Sequence, residues 1–107
     1  MKISARRVDK ATILDVSGNI DMSNSPEVRK ALLRELREKG VSRVVLNLTG
    51  VEYIDSSGVA SLVEGLKASR ESGSRFVLFG LNDSAREVLK ISRLLNFLKS
   101  TTTKRRL

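Results

Sequence analysis

The sequence contains no cysteine and no histidine. Without cysteine there are no disulfides, no thiolate metal sites and no cysteine nucleophile. Without histidine, Ser-His-Asp triads, Cys-His pairs and imidazole zinc sites are excluded. The side chain most used to move protons near neutral pH goes with them. Tryptophan is absent and tyrosine occurs once, so a stacking platform for single-stranded bases is not supported. No apolar run reaches the roughly 18 to 20 residues that span a bilayer. The opening residues Met1-Lys2-Ile3-Ser4-Ala5-Arg6-Arg7 carry no hydrophobic signal segment, and a cytoplasmic location is expected.

What is present suits one domain. At 107 residues and 40% hydrophobic content the chain can build a single core but not a second. The net charge is +8, from 20 Lys and Arg against 12 Asp and Glu, a balance that raises the question of a polyanionic partner. The basic residues are spread along the chain, however, and many share helices with acids. The dense cluster is Lys104-Arg105-Arg106, in a tail expected to be mobile from about Ser100. A solvated basic surface accounts for this pattern, and no direct nucleic-acid contact is expected.

Apolar periodicity divides the chain into short segments of alternating type. Residues 2–7 read as a weak first strand and Ala11 to Val16 as a clearer one, with Leu14 and Val16 inward. Val8-Asp9-Lys10 makes the hairpin turn, and Gly18 ends the second strand. A helix follows, with Ser25 as N-cap, Pro26 at the first helical position and Glu27 in the first turn. Its apolar stripe is Val28, Ala31, Leu32, Leu33 and Leu36, and Gly40 is the expected stop. Arg43 to Leu48 reads as a buried strand. The extended stretch Val51-Glu52-Tyr53-Ile54 leads to Asp55-Ser56-Ser57-Gly58 and a second helix, with Val59, Leu62, Val63 and Leu66 inward and an end near Gly73. Arg75 to Phe79 is the next strand, closed by Gly80. Ser84 and Glu87 form a candidate capping box for a third helix carrying Val88, Leu89 and Ile91. Leu94 to Leu98 fits either the end of that helix or a last short strand. The alternation implies an α/β fold: a mixed sheet of four to five strands with a parallel core, an N-terminal hairpin and three or more helices.

The segment Asp55-Ser56-Ser57-Gly58 is the most informative. Two hydroxyls precede a helix whose free N–H groups and positive dipole end suit an anion. A phosphate on Ser56 would add about −1.5 to −2 charges there. Asp-Ser-Ser before a helix is equally the appearance of an ordinary N-cap, and the two roles are compatible. Ser23, Asn24 and Ser25 read as turn and capping residues, and Tyr53 as a packed aromatic.

The order strand, Asp-Ser-Ser-Gly, helix resembles the signature of the STAS domain of anti-sigma factor antagonists. Gly18-Asn19-Ile20-Asp21 is similar to that family's Gly-Glu-Leu/Ile-Asp, and Ser25-Pro26-Glu27-Val28 to the start of its first helix. Val44-Val45-Leu46-Asn47-Leu48 with Val51-Tyr53-Ile54-Asp55 fits the strand leading to its serine. The resemblance covers roughly residues 10–98 and implies a STAS domain over residues 1–99, with residues 100–107 as a basic tail. It places the phosphoacceptor on Ser56, with Ser57 the lesser candidate, and the partner surface on Asp21, Ser23, Ser25, Asp55, Ser56, Ser57 and Gly58. It further implies an anti-sigma factor partner that is a GHKL-type serine kinase, and a PP2C-type phosphatase. ATP and metal would belong to those partners, so this chain is expected to need no cofactor and to be no enzyme. Departures are Asn19 in place of the usual Glu, Arg93-Leu94 in place of a Gly-Leu step, and the basic balance. Other functions compatible with the resemblance are an accessory subunit of a lipid-transport ABC complex and a stressosome-like scaffold. The basic tail adds the option of an anionic surface.

Overall fold

The structure is a computed structural model that describes residues 1–91, with side chains through residue 87. Four strands and three helices follow one another in the order β1 (Lys2–Val8), β2 (Ala11–Ser17), α1 (Ser25–Leu36), β3 (Arg43–Gly50), α2 (Ser56–Ser72), β4 (Arg75–Phe79) and α3 (Asp83–Ile91). The sheet order is β1-β2-β3-β4. The β1–β2 hairpin is antiparallel, and the β2–β3 and β3–β4 pairs are parallel. Asp9 makes the hairpin turn with φ of 55°, a left-handed value that Asp tolerates better than most residues. The mixed α/β fold read from the sequence is the observed one.

Register determines which residues share a face. Thr12, Leu14 and Val16 of β2 are buried, as are Val44, Leu46 and Leu48 of β3 and Phe76 of β4. Thr12 pairs with Val44 and Leu14 with Leu46, while Val44 pairs with Phe76, so these side chains form one continuous apolar face. Against it lie Val28, Leu32 and Leu36 of α1 with Leu62 and Leu66 of α2. Gly65 allows the close approach of these layers, because a Cβ there would stand 2.9 Å from Phe76 Cε2 and 3.3 Å from Leu32 Cδ1.

Three cap assignments differ from the sequence reading. Asn24, not Ser25, is the N-cap residue of α1, and its side chain makes no cap hydrogen bond. Ser25 is instead the first helical residue and only 6% exposed; its carbonyl accepts the Ser61 hydroxyl of α2 at 3.1 Å. Helix α1 also stops at Leu36 with Arg37 as C-cap, before Gly40, whose φ of 84° serves the turn into β3. At α3 the cap is Asn82, whose Oδ1 accepts the Ala85 N–H at 2.8 Å, while Ser84 is exposed. Asn82 also donates to the Val51 and Glu52 carbonyls at 3.1 and 3.0 Å, and tertiary contacts of this kind select among neighbouring polar residues. Helix α2 ends as expected, on Gly73 in the left-handed conformation.

A buried polar tie fastens the hairpin to α1. Glu35, one helical repeat from Val28 on the inward stripe, accepts from the Thr12 hydroxyl at 2.9 Å and from Arg7 at 3.1 Å, which satisfies its buried carboxylate. The expected inward residues Val88, Leu89 and Ile91, the segment Leu94 to Leu98 and the tail with Lys104-Arg105-Arg106 lie outside the residues whose side chains are described.

Candidate functional site

The Asp-Ser-Ser-Gly turn sits where β3 hands the chain to α2, beside the segment that leaves β2. Val51 to Ile54 is extended but forms no strand; a single parallel bridge joins Ile54 to Ile20. Around that bridge the Ile20 N–H donates to the Tyr53 carbonyl at 2.9 Å, and the Asp55 N–H to the Ile20 carbonyl at 3.0 Å. Both isoleucines are fully buried. The apolar pair thus pins two loops together and brings Asp21 and Asp55 to one end of the molecule.

Helix α2 begins at Ser56, with Asp55 as N-cap. The Asp55 Oδ1 accepts the Gly58 N–H at 3.0 Å and the Ser57 hydroxyl at 2.6 Å. These bonds, the Ser57 hydroxyl first, hold the Asp55 carboxyl below the usual carboxylate range; the Ser57 and Met22 N–H groups add to the effect, and partial desolvation opposes it. One of the donors that could serve a phosphate, the Gly58 N–H, is therefore already taken by the protein's own anion.

The two serines are not equivalent. Ser57 is half-buried and its hydroxyl is committed to Asp55. Ser56 is exposed, and its hydroxyl makes no hydrogen bond among the described residues. Gly58 is buried beneath the turn.

The second loop is fastened from within. Asp21 accepts the Ser23 hydroxyl at 2.6 Å and the Ser23 N–H at 3.0 Å. Asn24 accepts the Asp21 N–H at 2.9 Å and donates to the Asn19 carbonyl at 2.8 Å. Of the residues assigned to a partner surface, Asp21, Ser23, Asp55, Ser56 and Ser57 are thus brought together with accessible side chains. Ser25 and Gly58 lie under that surface. Tyr53 is 47% exposed and not packed as expected, and Met22, which sequence reasoning passed over, is 78% exposed. Only the polarity of its neighbours in Asp21-Met22-Ser23-Asn24 signals a surface loop in the sequence.

Acid should weaken this arrangement. Asp55 is held below its unfolded-state value, as is Asp15 through Arg6 and then Asn47. The unfolded chain then takes up protons first as pH falls, so stability is full above about pH 4 and declines below it, through the lowered native values. Denaturant midpoints measured between neutral pH and pH 3 should fall, and should fall less for Asp55→Asn. An unchanged slope in that variant would remove Asp55 from the account.

Fold and turn together define a class: a small mixed-sheet domain that displays, at a helix start between two pinned loops, a serine hydroxyl with no partner among the described residues. The STAS domain family matches residues 2–106, and the chain belongs to that family. It is 34% identical over 100 residues to the anti-sigma-B factor antagonist of Listeria monocytogenes, covering 92% of this chain and 85% of that protein. In structure it is similar to a Thermotoga maritima protein assigned as an anti-sigma factor antagonist (TM-score 0.79, 29% identity, 88% of this chain and 80% of the other). The Bacillus cell fate determinant SpoIIAA in its phosphorylated form shares the fold at 17% identity, with TM-score 0.70 over 89% of this chain and 86% of the other. No helix among the described residues is long and apolar enough to cross a membrane.

Proposed function

We propose that this chain is an anti-sigma factor antagonist whose binding is switched by phosphorylation of Ser56. The observation that carries the proposal is the contrast within the serine pair: the Ser57 hydroxyl lies 2.6 Å from the Asp55 carboxylate, whereas Ser56 is exposed and unpaired among the described residues. A phosphoacceptor must reach a kinase active site and give up its proton, and only Ser56 is free to do so. The Listeria relative supports the partner class, since it antagonises an anti-sigma factor. SpoIIAA supports the switch, because that fold neighbour exists in a phosphorylated form.

In this reading the domain spans residues 1–99, acts in the cytoplasm and is a binding module with no reaction or cofactor of its own. Unphosphorylated, it sequesters an anti-sigma factor through Asp21, Ser23, Asp55, Ser56 and Ser57. That partner is a GHKL-type serine kinase, which supplies ATP and metal, and a PP2C-type phosphatase reverses the modification. Immobilised wild type, Ser56→Ala and Ser56→Asp, each exposed to lysate of the source cells, test this. Retention of a GHKL-type kinase by the first two and its loss from Ser56→Asp is expected. Equal retention by all three would make Ser56 only the first residue of a helix.

A further inference from the structure

We infer that Met22 and Tyr53 are the apolar anchors of the partner surface, one on each side of the serine turn, and that they set its affinity while Ser56 sets its state. This rests on the anti-sigma factor reading and adds to it the residues that hold the partner.

The two side chains are unusual for their positions. Met22 is 78% exposed and Tyr53 47%, in a chain with two methionines and one tyrosine. Single exposed apolar residues are common on protein surfaces and need no explanation. These two differ in their place, on the two loops that the Ile20–Ile54 bridge joins beside the serine turn. Met22 lies between residues that satisfy one another: Ser23 donates to Asp21, and Asn24 accepts the Asp21 N–H and donates to the Asn19 carbonyl. Tyr53 precedes the bridged, buried Ile54, and its carbonyl takes the Ile20 N–H. Several polar groups of both loops are spent on internal hydrogen bonds, which helps the loops hold their shape while the apolar tips face water. Such preorganisation lowers the entropy lost on binding.

The chemistry of the pair suits one kind of occupant. Tyrosine brings a rigid apolar body with a polar tip and is enriched among the residues that dominate interfaces. Methionine adapts its three rotatable bonds to the facing surface. Together they call for an apolar depression on a folded protein partner, with Asp21 and Asp55 at its polar margin. Water excluded by the two anchors would also leave a phosphate on Ser56 unsolvated, which links the anchors to the switch.

The test uses the partner recovered with wild type and purified, titrated calorimetrically against variants of the full chain. Tyr53→Ala should weaken binding about 30-fold and Met22→Ala about 10-fold, the range of interface hot spots. Tyr53→Phe, which keeps the apolar body, should remain within about threefold of wild type on the same scale. Val8→Ala removes a comparably exposed residue (52%) at the opposite end of the sheet and should change nothing. Thermal melting of each variant near the wild-type midpoint establishes that the fold is intact. If Tyr53→Ala and Met22→Ala bind within about twofold of wild type while Ser56→Asp still releases the partner, the anchors are wrong and the switch stands. If Ser56→Asp releases nothing, the switch itself fails. A partner lost by Tyr53→Ala and Tyr53→Phe alike would overturn the apolar assignment in favour of the phenol hydroxyl.

Discussion

A phosphoryl group on Ser56 is expected to weaken binding to the anti-sigma factor about a thousandfold, whereas Ser56→Ala should stay within about threefold of wild type. The helix start already faces one anion of its own. Asp55 already takes the Gly58 N–H and the Ser57 hydroxyl, so a dianion on Ser56 must project outward from an exposed residue. There it would sit on a surface that also carries the carboxylates of Asp55 and Asp21. A dianion left unpaired in a closed interface costs several kcal/mol, and about 4 kcal/mol corresponds to roughly a thousandfold. Calorimetry with the enzymatically phosphorylated protein would measure the loss. Ser56→Asp, with one charge and a shorter reach, should show a smaller loss in the same direction. Ser57→Ala separates the two serines: it removes a bond to Asp55 and should lower stability by about 1 kcal/mol, yet phosphorylation of Ser56 should still release the partner. Phosphoprotein that binds as tightly as wild type would remove the switch, whatever partner is found.

Gly58→Ala should lower stability by about 1–3 kcal/mol and the melting temperature by roughly 10 °C. Two effects oppose one another at this position. Alanine in a helix is favoured over glycine by about 1 kcal/mol, which would stabilise α2 if the site were open. The site is closed, because a Cβ at Gly58 would lie 2.6 Å from Ile54 Cγ2 and 2.9 Å from Ile20 Cγ2. Neither branched side chain can swing aside, since both are fully buried and paired across the bridge between the loops. Steric overlap therefore wins, and it acts on the contact that positions Ser56. Partner affinity should fall along with stability in this variant. An alanine variant more stable than wild type would show that helix propensity governs the position after all.

How legible the molecule was depended on how local each determinant is. The strands Arg43–Gly50 and Arg75–Phe79 and the end of α2 at Gly73 were readable because apolar alternation and a terminal glycine are properties of a few consecutive residues. Capping was less so. Ser25, Gly40 and Ser84 all have the right chemistry, and each lost its role to a neighbour or to an earlier helix end. Asn82 wins at α3 while its amide also holds the Val51 and Glu52 carbonyls, a contact 30 residues away in the chain. Glu35 took no part in that reading, and only the structure shows Thr12 and Arg7 pairing with its carboxylate in the interior.

The sequence by itself determined the class of protein. Its lack of cysteine and histidine removed most catalytic designs, its alternating segments led to a mixed α/β sheet, and Asp55-Ser56-Ser57-Gly58 marked the turn that matters. The family resemblance favoured Ser56, but only the tertiary structure gave the physical reason, which is that Asp55 captures the Ser57 hydroxyl when α2 begins at Ser56. It alone exposed Met22 and Tyr53, which pattern reading had set aside or packed inward. The reason is that exposure at the end of a sheet is decided by how two loops, more than 30 residues apart, are pinned through Ile20 and Ile54. No window of neighbouring residues contains that contact.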